Sequence, residues 1–233
     1  EVLARQHRAY TPPHLDIATT LNDLASVLRQ LDRLEESEEL FRQALDQRQA
    51  ILSPDHPDVA QSLNNVGTAL FVSGDYDGAG VLMKQAFEVW QKSYSGDHPR
   101  LCAALSNLGA VARRGERYPE AADFLAQALG MEIRLHGEEH SRVASARRRL
   151  GIVQVEAGEE AAGFANLQSA VDFFSSREGP GSAGGVTAGL SLAAAYREAG
   201  RSSEAEALLL RLEAATDGDE TLQARVQQAR GQD

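Results

Sequence analysis

The chain has a single cysteine, Cys102, so no disulfide can form within it. Aromatic residues make up only 6% of the 233, with one tryptophan. No run of about 18 apolar residues is present that could cross a membrane, and no signal-peptide pattern is found. Positive charge is scarce, with 23 Lys and Arg against 34 Asp and Glu, a net charge of −11. That balance argues against unassisted nucleic-acid binding, which needs a cationic surface to neutralise phosphate. Strand-like alternation of apolar and polar residues is missing, as are a nucleophile–base arrangement and a paired-cysteine motif. The glycine-rich stretch "GPGSAGG" at 179–185 lacks a lysine and a preceding strand, so it is no phosphate cradle. No enzymatic activity, catalytic residue, cofactor or metal is expected, and a cytoplasmic location is. The chain begins without Met and reads as a piece of a longer protein.

What the chain does have is a repeat. His14, His56, His98 and His140 are each 42 residues apart, and the text around them repeats: "HLDIATTLNDLASVL", "HPDVAQSLNNVGTAL", "HPRLCAALSNLGAVA", "HSRVASARRRLGIVQ". A fifth copy, "SAGGVTAGLSLAAAY" from Ser182, keeps the period and has lost the histidine. Each copy carries two helical patterns. Leu21, Leu24, Ala25 and Leu28, like Leu63, Val66, Gly67 and Leu70, follow the i, i+3, i+4, i+7 rule. A turn with Gly near the helix end follows. A second amphipathic helix then carries Ala79, Leu82, Met83, Ala86 and Phe87, matched by Ala121, Phe124, Leu125, Ala128 and Leu129. Proline just inside the next helix suits a first turn that needs no amide donor. The unit is thus an antiparallel helical hairpin, and small residues such as Gly67, Gly109 and Gly151 sit where its two helices must touch. One hairpin cannot bury its own apolar face, so neighbours stack.

This pattern resembles the tetratricopeptide repeat, in its 42-residue form with "DHPDVAQSLNNVG" and "GDYDGA", as in the kinesin light chain and its bacterial relatives. The resemblance implies an all-α, right-handed solenoid of antiparallel helix pairs. The expected organisation is the second helix of an incomplete upstream repeat at 1–13, then five repeats at 14–55, 56–97, 98–139, 140–181 and 182–215. A capping helix and tail at 216–233 close it, and the Gly/Ser-rich 175–185 is expected to be a looser joint. In that family the first helix of each pair faces a concave groove that takes a peptide or protein. Carried over by register, the groove residues are Asn22, Asn64, Asn65, Thr68, Phe71, Asn107, Arg113, Arg114, Arg148, Arg149, Ile152 and Arg197, with Ser26, Arg29, Val155 and Leu190 in the same positions. Asparagine amides suit an extended backbone, and arginines suit carboxylates. The expected ligand is therefore an acidic segment with a hydrophobic anchor, bound by a protein-interaction scaffold. Two alternatives stand beside it: the arginines pair with acidic neighbours in the chain, or the solenoid ends mediate homo-oligomerisation or spacing. A chaperone-tail carboxylate clamp is rejected, because only Asn107 and Arg149 match its five positions and both lysines are missing.

Three further features have structural readings. One zinc cannot span histidines about 10 Å apart, so the ladder is expected to cap helices. Trp90 is either a convex anchor or ordinary packing between repeats. Arg147 occupies the core position of Leu21, Leu63 and Leu105, so either its stem packs while its head reaches out, or the fourth repeat is irregular.

Overall fold

The computed structural model describes residues 13–231, and those residues form helices with no strand among them. The helices are α1 (Leu15–Gln30), α2 (Leu34–Gln49), α3 (Pro57–Ser73), α4 (Tyr76–Ser93), α5 (Pro99–Arg114), α6 (Tyr118–His136), α7 (Ser141–Glu156), α8 (Glu160–Arg177), α9 (Ala183–Glu198), α10 (Ser202–Ala215) and α11 (Glu220–Arg230). Residues 1–12, where the upstream half-repeat is expected, lie outside the described residues. The chain divides into two compact units at the turn after α5, between Glu116 and Arg117.

The repeat is visible first in the helix starts. Nδ1 of His14, His56, His98 and His140 accepts the backbone N–H of the residue two positions on, at 3.1 Å in all four. In the fifth copy Ser182 Oγ does the same for Gly185 N–H, at 3.1 Å. The histidine ladder is therefore a set of N-caps. Each turn between paired helices then places one residue in the left-handed region, at positions 42 apart: Asp32, Gly74, Glu116, Gly158 and Gly200, with φ of 60°, 92°, 57°, 83° and 72°. Glycine adopts this conformation freely, whereas a side chain makes it costly at Asp32 and Glu116.

In the first unit α1 packs on α2 and α3 on α4, and each second helix packs on the following first helix. Ile17, Leu21 and Ala44, with Leu40 against them, form the seam of the first hairpin. Close approach requires small residues, since a Cβ on Gly67 would lie 2.9 Å from Met83 Cγ. Trp90 is 2% exposed, with its indole N–H 3.4 Å from the Pro57 carbonyl, so it is internal packing and not a convex anchor.

In the second unit α6 packs on α7, α7 on α8, α8 on α9 and α9 on α10. The hairpin α7/α8 departs from the others. Arg147 replaces the buried leucine and turns its head out to ion-pair with Glu138. On α8, Asn166 stands where Leu40, Leu82 and Phe124 stand elsewhere, and its Nδ2 donates to Gln154 Oε1 at 2.7 Å. Two positions of this hairpin are thus polar where its counterparts are apolar, and its helices come close together: a Cβ on Gly151 would lie 2.7 Å from the Gly163 carbonyl oxygen. The joint at 178–185 is closely packed, for a side chain at Gly181 would collide with the Ala215 carbonyl. Finally α11 lies on α9 and α10. It buries Val226 completely among Val186, Ala193, Ala205, Leu209 and Leu212, while Arg230 pairs with Glu206 at 2.6 Å and also with Glu213.

Candidate functional site

In the first unit α1, α3 and α5 line an open groove of about 480 Å³. Its base is apolar: Phe41, Met83 and Val111 show 3%, 4% and 1% of their surface. Phe71 and Val72 form an apolar wall on α3, with Phe71 tilted against Tyr76 at 5.7 Å between ring centres. Around this floor stand Ser26 and Arg29 from α1, Asn64, Asn65 and Thr68 from α3, and Asn107 and Ala110 from α5.

The polar rim divides into groups already engaged and groups still open. Asn65 donates to Asn22 Oδ1 and accepts from Gln61 Nε2 at 3.0 Å, so its amide and that of Asn22 join α1 to α3. Thr68 and Ser26 donate their hydroxyls to the carbonyls of Asn64 and Asn22 on their own helices, at 2.8 and 3.0 Å. By contrast the side chains of Asn64, Asn107 and Arg29 have no hydrogen-bond partner among the described residues. Half-buried amides without partners retain donors and acceptors for a ligand. The sequence-predicted Asn22, Asn64, Asn65, Thr68, Phe71 and Asn107 are therefore brought together here, two of them as scaffold. Arg113 is half-buried and Arg114 exposed, both at the end of α5. Sequence reasoning had no access to the base, because Phe41 and Met83 come from second helices; their shared repeat position was the one signal pointing to them.

The second unit uses its predicted residues differently. Arg147, Arg148 and Arg149 are consecutive and meet three different surroundings. Arg147 pairs with Glu138, Arg148 donates to Ser191 Oγ on α9 at 3.1 Å, and Arg149 faces Glu132 on α6. Burial pulls the Arg149 guanidinium below its ordinary pKa, and the Glu132 carboxylate partly offsets this. Its Nε has no acceptor. Glu132 is itself only 6% exposed, and His136 Nε2 lies 3.3 Å from its Oε2 without the alignment of a hydrogen bond. Arg197 donates to the Ala229 carbonyl of α11. Ile152 packs on the cluster of Val155, Leu167, Leu192 and Ala195. Within this unit Arg148, Ile152 and Arg197 are thus committed to neighbouring helices, while Arg149 is largely buried near Glu132 without a hydrogen bond to it.

No group of three or more His, Cys, Asp or Glu that could hold a metal ion occurs among the described residues. No described helix is long and apolar enough to cross a membrane.

Comparison with known proteins gives a consistent answer. A family model described as "Tetratricopeptide repeat" matches residues 16–79 and 58–132. Among solved structures, the chain is similar to a Podosopora anserina putative kinesin light chain with nearly identical TPR-like repeats, at 21% identity and a TM-score of 0.79, covering 92% of this chain and 98% of that one. It is also similar to BtubC (BKLC) from P. vanneervenii, at 22% identity and a TM-score of 0.72, over 88% of this chain and 82% of that one. A third is YrrB, described as a TPR protein with an unusual peptide-binding site, at 15% identity, a TM-score of 0.58 and 98% of both chains. No curated protein matches the sequence.

Proposed function

Because this chain belongs to the tetratricopeptide repeat family, we propose that it is a binding scaffold whose first-unit groove holds an extended segment of another protein. The observation that carries this reading is the pairing of open polar groups with an apolar floor. Asn64 and Asn107 have side chains without hydrogen-bond partners among the described residues, beside Phe71, Val72, Met83 and Val111. An extended peptide presents one N–H and one C=O per residue, which an amide can satisfy together, while a bulky side chain fills the floor. The likeness to YrrB, itself a TPR protein with a peptide-binding site, supports the same class of ligand.

The ligand segment is acidic. Arg29, Phe71 and Arg113 share one repeat position on α1, α3 and α5, so an aromatic ring is flanked in register by two guanidinium groups, and Arg114 lies beside them. These cations draw carboxylates in, an effect screened over about 8–10 Å at physiological salt. Arg148, Arg149 and Arg197 hold the second unit together instead of contacting the ligand. The protein acts in the cytoplasm as a non-enzymatic adaptor, with repeats bounded at 14, 56, 98, 140 and 182 and a cap from 216.

The test is titration of acidic peptides, each with one bulky apolar residue, against wild type and an Asn64→Ala/Asn107→Ala variant at low and high salt. Losing two groove hydrogen bonds should weaken binding by about 1–3 kcal/mol, and salt should weaken both proteins. Affinities that ignore the substitutions and the salt overturn the reading.

A second reading, end-to-end self-association, has one observation in its favour. Leu24 and Val27 of α1 are 40% and 50% exposed, whereas their counterparts Val66, Leu150, Leu192 and Ala69, Val153, Ala195 are at most 7% exposed. A second copy seated on α1 would bury them. Mass measured across a dilution series, with Val27→Lys as control, checks it. A monomer at every concentration removes it.

A further inference from the structure

The fourth repeat departs from its neighbours at three more places along α8. Gln43, Gln85 and Gln127 of the preceding second helices give way to Ser169. Lys92 and Arg134 are replaced by Ser176, and Val89 and Met131 by Phe173. With Arg147 standing in for a leucine and turning its head to Glu138, the shortened side chains leave a groove of about 430 Å³. It lies between the turn before α7, the start of α7 and the second half of α8, all within the second unit.

The polar lining of this groove is made almost wholly of acceptors. Ser169 and Ser176 donate their hydroxyls to the Ala165 and Phe173 carbonyls of their own helix, at 2.9 and 3.0 Å. Their oxygens therefore turn lone pairs outward. Three carboxylates stand around them, from Glu138, Glu139 and Asp172. Arg147 is taken up by Glu138, and Arg177 pairs with Glu139 at 3.0 Å. Asp172 accepts the neutral amide of Gln168 at 2.8 Å and has no ion pair among the described residues. The aromatic wall is the half-buried Phe173 ring, set edge to face with Phe174 at 5.3 Å between centres.

A ligand matched to this lining donates several hydrogen bonds, carries positive charge and has a flat face. We propose that the groove is a second docking site, which takes an arginine side chain of a partner protein. A guanidinium has five N–H donors in a planar fork and no acceptor, so it serves Asp172 and the serine oxygens together. Its plane stacks on the Phe173 ring, where a compact, strongly hydrated lysine ammonium gains less. The same lining already holds one guanidinium, that of Arg147 on Glu138. An acidic side chain would instead meet carboxylates and lone pairs. The net charge of −11 favours the approach of a cationic segment. This site differs in unit and in charge preference from the first-unit groove, and its existence does not depend on what that groove binds.

The experiment titrates the full chain with the end-blocked peptide Gly-Arg-Arg-Gly and with its lysine and citrulline versions, followed by amide NMR. Citrulline keeps the shape of arginine and loses the charge. The arginine peptide should move the signals of Ser169, Asp172 and Phe173 saturably, the lysine peptide more weakly and the citrulline peptide least. Asp172→Asn should weaken the arginine peptide about two- to fivefold, the effect of one exposed charge pair. Ser169→Gln/Ser176→Gln refills the groove with neutral side chains at exposed positions and should abolish binding, with the melting temperature retained. Should the double variant lose its fold, Ser169→Gln alone takes its place, since three other repeats carry that residue there. Equal affinity for arginine and citrulline, binding that survives the refilled groove, or signals that move only in the first unit overturns the proposal.

Discussion

The two units are written on the same 42-residue period yet use the groove positions of their first helices in opposite ways. Asn64, Asn65, Thr68 and Phe71 on α3 correspond to Arg148, Arg149, Ile152 and Val155 on α7. In the first unit the α3 side chains and Asn107 line a cavity, with Asn64 and Asn107 unengaged among the described residues. In the second unit, Arg148 is engaged by Ser191, and Arg149 is buried with the Glu132 carboxylate offsetting part of its desolvation. A half-buried guanidinium is costly to leave unpaired, and the fold gives Arg148 a hydroxyl and sets a carboxylate near Arg149; a neutral amide at a rim tolerates water until a ligand arrives. Residue type at a groove position is thus a weaker guide to binding than the presence of a partner on the next helix.

The sharpest break of this comparison is charge reversal. Arg149→Glu would set a second carboxylate toward buried Glu132 and should cost about 3 kcal/mol of stability, read as a drop in urea midpoint. An unchanged midpoint with lost peptide affinity would instead make Arg149 a ligand contact.

Next in size is Gly151→Ala, whose Cβ meets the Gly163 backbone oxygen at 2.7 Å and Leu167 Cγ at 2.9 Å. It should destabilise by about 2 kcal/mol. Gly67→Ala meets Met83 Cγ at 2.9 Å and a backbone oxygen only at 3.2 Å, and should cost about 1 kcal/mol because the Met side chain can move. Equal thermal shifts would mean that the α7/α8 hairpin is no more tightly seated than the α3/α4 hairpin.

Phe71→Ala should weaken peptide binding by about 1–2 kcal/mol, roughly five- to thirtyfold, while Ile152→Ala should leave affinity unchanged and lower stability. Anisotropy titration and thermal melts on the same two variants separate these outcomes.

The smallest effect concerns the turns. Asp32→Gly and Glu116→Gly relieve a left-handed residue at φ of 60° and 57°, where Gly74, Gly158 and Gly200 already sit. Each should raise stability by up to about 1 kcal/mol, since the flexibility glycine adds to the unfolded chain offsets part of the relief. A loss of stability would show that the side chains contribute contacts outweighing the strain.

The sequence by itself determined the all-helical hairpins and where their first helices begin. Capping and turn geometry act within one helical turn, and a 42-residue period repeats that local chemistry in register, so His14, His56, His98 and His140 announce four helix starts from text alone. The family resemblance, carried over by the 42-residue register, also put Asn64, Asn107 and Phe71 on the groove side of their helices. Only the tertiary structure decided which members of that face remain open. Asn22 meets Asn65, and Arg148 meets Ser191, across 43 residues of sequence, a spacing set by how one first helix lies on the next. Arg149 finds Glu132 on the preceding helix, and Phe41 and Met83 reach the groove floor from second helices. These pairings depend on the rotation and separation of packed helices, a balance of side-chain volumes that no local pattern encodes.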